Sequence, residues 1–211
     1  MPADTIPALS IWQPWASALA HGVKQYETRH WSTAYRGPLL IHAAKKKPPC
    51  SRPDDYIFDF ITKPELRGVF SPPEWSDEEL PPSAVLGIKS RRIWRYLYEL
   101  PRGVILGVAT LADCLPVTMR NRVGTLCLPL NKRQDLSLQE TMLGDFSPGR
   151  FGWQLANVRL LPEPVPYRGA QGLFRVRIAD VPGLAELLAT GDGKNSNHRD
   201  TENTEGEAGN A

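Results

Sequence analysis

Long hydrophobic runs are missing from this sequence of 211 residues. The longest, such as residues 103–111, fall well short of the roughly 18 apolar positions a bilayer-spanning helix needs, so no membrane association is expected. The first residues carry no basic stretch followed by an apolar one, and no signal peptide is read there. Cysteine is scarce. Cys50, Cys114 and Cys127 are odd in number, widely spaced and form no CxxC, which excludes a disulfide framework and a cysteine-rich zinc site. A reducing, cytoplasmic setting is the simplest expectation. The sequence also lacks His/Cys metal spacing, a GxSxG elbow and a phosphate-cradling glycine loop, so neither a metal nor a cofactor is expected.

Proline, by contrast, is abundant. Its 20 copies are spread along the chain, which points to many turns and strand ends rather than one stiff linker. The length fits one domain, expected over residues 5–189, with an acidic, Pro-rich insertion at about 45–100 and a disordered tail at 190–211.

Net charge is only +2, but the charges are segregated. Residues 21–52 hold seven Lys or Arg against the single acid Glu27. Residues 89–102 hold five against Glu99, including Arg91, Arg92 and Arg95. Between them, residues 54–79 hold eight acids and two bases. Such a chain can present a strongly positive face although its sum is near neutral. A solvated surface of mixed charge is the alternative.

Hydrophobic periodicity gives several short strands with small helices between them. Strands are expected at 7–12, 24–31, 39–44, 103–112, 151–160 and 173–178, and short helices at 15–21 and 181–188. Gly22 suits a left-handed helix stop. Pro162, Pro164 and Pro166 read as a rigid extended link. There is no βαβ alternation, so the expected class is mainly β (α+β), a small barrel with short flanking helices. The 24–31 strand is unusual. Lys24, Tyr26, Thr28 and His30 alternate with Gln25, Glu27, Arg29 and Trp31, so polar groups occupy both faces. One face must then look onto water, a cleft or a charge network.

The segments Ser10-Ile-Trp-Gln-Pro-Trp-Ala-Ser17, Gly22-Val-Lys-Gln-Tyr-Glu-Thr-Arg29 and Tyr35-Arg-Gly-Pro-Leu-Leu-Ile-His-Ala43 resemble the opening of an ASCH domain. The family's GxKxxExR signature stands at Gly22, Lys24, Glu27 and Arg29. Looser matches follow at residues 107–114, at Gly152-Trp153 and at residues 166–172. The resemblance implies a PUA-like β-barrel with a cleft beside the signature strand, and binding of RNA or DNA. It also implies a second possibility, since some ASCH proteins are hydrolases acting on RNA or on a modified nucleoside such as acetylated cytidine. The hydrolase branch places a threonine three residues after the lysine, where this chain has Glu27. If the chain is an enzyme, Lys24 and Glu27 are the acid/base pair.

The residues themselves offer two readings each. Lys24 and Arg29 can each meet a phosphate, Arg29 in bidentate fashion. Alternatively Glu27 and Arg29, on one face, pair and brace the strand. Ser10 and Gln13 can donate or accept near the turn, or cap the helix that follows. Trp12, Trp15, Trp31 and Trp153 can stack on exposed bases or fill the core, with Trp31 and Trp153 the better cleft candidates. Arg36 and the Lys45-Lys46-Lys47 run add phosphate contacts if they border the cleft. His42, inside an apolar strand, reads as a satisfied core histidine. The expected interface is thus Ser10, Gln13, Lys24, Glu27, Arg29, Trp31, Arg36 and Trp153. The third possibility is a protein-interaction module using the acidic 54–79 segment.

Overall fold

A computed structural model describes residues 4–46, 100–117, 125–127 and 133–190. The acidic segment at 54–79, Lys47, Cys50, Arg52, Arg91, Arg92, Arg95 and the chain beyond 190 lie outside the described residues.

The protein is mainly β. Six strands form one mixed sheet in the order β2-β7-β4-β3-β1-β8. These are β1 (Thr5–Ile11), β2 (Tyr26–Arg29), β3 (Gly37–Ala43), β4 (Val104–Pro116), β7 (Phe151–Pro166) and β8 (Leu173–Arg177). β1 and β3 run parallel, and every other neighbouring pair is antiparallel. A separate two-stranded ribbon joins β5 (Thr125–Cys127) to β6 (Arg133–Asp135). The helices are short: α1 (Trp15–Ala20), α2 (Leu138–Met142) and α3 (Leu184–Ala189). Gly22 has φ +72°, the left-handed conformation expected after α1.

Strand alternation sorts the apolar side chains onto two faces. Leu9, Ile11, Leu39, Ile41 and Leu111 pack with Ala16, Leu19 and Ala20 of α1. Ile6, Ala8, Leu40, Val108 and Val176 pack with Val181 and Leu184, at and just before α3. Each fully buried Leu or Ile contributes about 2 kcal/mol of transfer free energy, and both layers are needed to seal the sheet. The same parity places Ser10 and His42 on the α3 face, opposite α1.

Two expectations are corrected. The sheet is open rather than a closed barrel among the described residues, with β2 and β8 as outer strands. β2 has only four residues and pairs only with the start of β7, while β8 pairs only with β1, so no strand pairing among the described residues closes the sheet. The proline link at 162–166 is also part of β7, paired to β4 through Ile105↔Val165 and Val104↔Pro166. The Tyr167 amide donates to the Gly103 carbonyl at 2.9 Å. Pro166 therefore directs its missing N–H away from β4. Beyond residue 154 no described strand pairs that edge, so no ladder bond is lost.

Candidate nucleic-acid interface

The signature residues do not act as a surface cluster. Lys24 is 1 % exposed, and its Nζ lies 3.5 Å from Glu140 Oε1 and 5.8 Å from the Phe146 ring centroid. Burial pushes its pKa down, while the nearby Glu27 and Glu140 carboxylates push the other way. Glu140 also accepts the Gln25 amide on Oε2 and the Tyr26 amide on Oε1, each at 2.9 Å. It thereby holds the entry of β2. Glu27 forms an ion pair with Arg29 at 3.1 Å, on the shared strand face expected from alternation. Arg29 Nη2 donates to the Ser10 carbonyl at 2.8 Å. Ser10 follows Leu9, the last β1 residue paired to β8, so the guanidinium continues that edge where the strand partner ends.

Glu140 escaped the sequence reading. Ser137-Leu-Gln-Glu140 has capping-box spacing, and the Ser137 hydroxyl does accept the Glu140 amide at 3.1 Å. That spacing locates α2. It cannot reveal that the carboxylate reaches Lys24, 116 positions away.

A cleft lies on the α3 face, beyond the C-terminal ends of β1 and β3. It has a volume of about 890 Å³, of the order of small-ligand sites. Lys45, Lys46, Arg102 and Arg168 line it, and no acid is among the described residues of its lining. The segment after β7, which carries Arg168, also contributes Tyr167 and Gly169. Ser10 and His42 line the floor. Ser10 Oγ is 3.0 Å from His42 Nδ1, and His42 Nε2 is 3.1 Å from the Tyr167 carbonyl oxygen. His42 is 1 % exposed and packs edge-on against Phe174.

Burial pushes the pKa of His42 down, against a smaller opposing effect of the Tyr167 hydrogen bond. Burial also lowers His21. In the unfolded chain His42 protonates near its ordinary 6.5, more readily than in the fold. Its contribution to stability is therefore whole above that pH and is lost as pH falls through the lowered folded value. Urea midpoints at pH 7 and pH 5 are expected to show this decline, and the His42→Gln variant is expected to lack its own share of it.

The other expected interface residues are dispersed. Gln13 is 1 % exposed; its Oε1 accepts the Ser17 amide at 3.1 Å inside α1, and its Nε2 donates to the Pro101 carbonyl at 2.8 Å. Trp153 is 0 % exposed, donates to the Trp31 carbonyl at 3.2 Å and meets the Trp31 ring edge-on at 4.6 Å. Both rings belong to the α1-side core, Trp31 only partly buried. Arg36 is exposed and pairs with Asp113 at 2.7 Å. Trp12 is the surprise, at 41 % exposure. It directly follows β1. The Ile11 carbonyl before it accepts the Ala44 amide, Ala44 being a lining residue of the cleft, and Gln13 after it binds Pro101.

The model of the family described as "ASCH domain" matches residues 9–146, well over half of the chain. The chain belongs to the ASCH domain family. The match begins one residue before Ser10 and ends at Phe146, which faces Lys24. It stops short of β7 and β8, which complete the sheet of this ASCH protein. Curated relatives include human Activating signal cointegrator 1, 36 % identical over 107 residues, and its mouse counterpart, 35 % identical over the same length. These alignments cover 51 % of this chain and 14 % of each relative, so the chain spans a small part of the proteins it matches. Among the described residues no helix is long and apolar enough to cross a membrane, and no group of three or more His, Cys, Asp or Glu is placed to hold a metal ion.

Proposed function

We propose that this ASCH protein binds nucleic acid, RNA in the first place, through the cleft at the ends of β1 and β3. The single observation that carries the reading is the convergence of Lys45, Lys46, Arg102 and Arg168 around one cavity, with no acid among the described residues of its lining. Such a lining suits a phosphate backbone, because each contact releases a condensed counterion. The signature strand supports the cleft: Glu140 holds the start of β2, and Arg29 of β2 binds the Ser10 carbonyl at the floor. Trp12 favours a single strand, since an exposed ring beside a cationic groove can stack on an unpaired base. A PUA-like unit over residues 5–189 is part of the same proposal. The hydrolase reading gains nothing from the geometry, because the Lys24 ammonium is enclosed beside Glu140.

The test is a salt titration of binding to a fluorescent single-stranded RNA oligonucleotide. Four phosphate contacts predict that log K falls with log[salt] at a slope of about −3. The Lys46→Ala/Arg102→Ala double variant is expected to halve that slope roughly. Trp12→Ala is expected to weaken binding by about tenfold and leave the slope unchanged, because stacking releases no counterions. No binding at low salt, or an unaltered slope in the double variant, overturns the proposal.

A further inference from the structure

The cleft floor holds a hydrogen-bond relay whose direction is fixed. A carbonyl oxygen cannot donate, so the His42 Nε2 that meets the Tyr167 carbonyl at 3.1 Å carries the proton. A neutral imidazole has one N–H, which leaves Nδ1 with its lone pair. Burial favours this neutral ring. At 3.0 Å from Nδ1, the Ser10 hydroxyl must then donate its only proton to His42. Ser10 Oγ is left with lone pairs alone to offer the cleft. Gly169 lies directly over the relay. A Cβ there would come within 2.6 Å of Ser10 Oγ and would also collide with the His42 ring, so bare backbone is required at that point.

We infer that Ser10 Oγ is an oriented acceptor that selects a hydrogen-bond donor on the bound nucleotide: an exocyclic base amino group or the ribose 2′-hydroxyl. The inference rests on the nucleic-acid reading above and adds a direction to it. The four cations on the wall can only donate, which serves phosphate but does not distinguish one nucleotide from another. Ser10 supplies the opposite polarity at the floor. Uracil and thymine have no exocyclic amino group, whereas cytosine has one. Ribose and deoxyribose differ in the 2′-hydroxyl. Both sources of the donor are therefore separable by choice of probe.

The experiment measures affinity for oligo(C), oligo(U), oligo(dC) and oligo(dU) of equal length at one salt concentration, for the intact chain and for Ser10→Ala. An amino donor predicts a preference of several-fold for C over U in both RNA and DNA. A ribose donor predicts a similar preference for oligo(U) over oligo(dU). Ser10→Ala is expected to abolish whichever preference exists and to keep the salt slope. Equal affinity for all four probes, or a preference that survives Ser10→Ala, overturns the inference while the nucleic-acid reading stands. Failure of every probe to bind at low salt overturns both. Nitrogen-15 NMR of the His42 ring checks the relay without ligand. The Nε2–H tautomer at neutral pH is expected, and the Nδ1–H tautomer would sink the proposed direction even if the variants were poorly folded.

Discussion

Replacing Glu140 by alanine is expected to cost about 3–5 kcal/mol of folding stability, the range for removing one partner of a buried ion pair. Three groups lose their acceptor together. The Gln25 and Tyr26 amides are left without their carboxylate, and the buried Lys24 ammonium loses its hydrogen-bonded partner and keeps the Glu27 charge. The partner substitution Lys24→Met is expected to cost much less. Burial already works against the charged lysine, and Glu140 would keep its two backbone donors. Urea unfolding at constant m-value measures both. Equal losses in the two variants would show that the ion pair, rather than the backbone bonds, holds β2.

Trp153→Ala is expected to cost about 3–5 kcal/mol as well, by a different route: the loss of a large buried ring and the cavity it leaves. Trp153 is wholly buried, pairs in register with Glu27 on one side and Cys114 on the other, and packs between α1 and the sheet. Its substitution also frees the Trp31 carbonyl from its indole donor. Because the ring lies on the α1 face and the cleft on the α3 face, oligonucleotide affinity of the folded fraction is expected to stay unchanged. A thermal unfolding midpoint near that of the intact chain would mean that the core closes over the gap. Lost affinity with intact stability would instead return Trp153 to the interface.

Much of the sheet was legible because strand burial repeats every two residues. β1, β3, β4 and β8 lie where alternation or a β-branched run places them. β7 runs six residues longer than its pattern suggests, because proline removes a donor without preventing extension along an unpaired edge. Charge segregation announced a basic surface, and the Lys45–Lys46 end of the first basic block does line the cleft. The strand at 24–31 stands out for having polar groups on both faces, and the fold engages them in a charge network with Glu140 and the Ser10 carbonyl.

What the sequence determined by itself is local: the family signature, the short strands, the helix stop at Gly22, and the pairing of Glu27 with Arg29 two positions apart on one face. What only the tertiary structure decided is long-range. Glu140 reaches Lys24 because α2 docks beside β2, and Arg102 and Arg168 join Lys45 and Lys46 because β4 and β7 bring distant ends of the chain beside β3. His42 reads in the sequence as a satisfied core histidine, and the fold supplies the partners: its two nitrogens are committed to Tyr167 and Ser10. Alternation sets which face a side chain takes, but hydrogen-bond partners and neighbouring charges are set by sheet order, which no local spacing encodes.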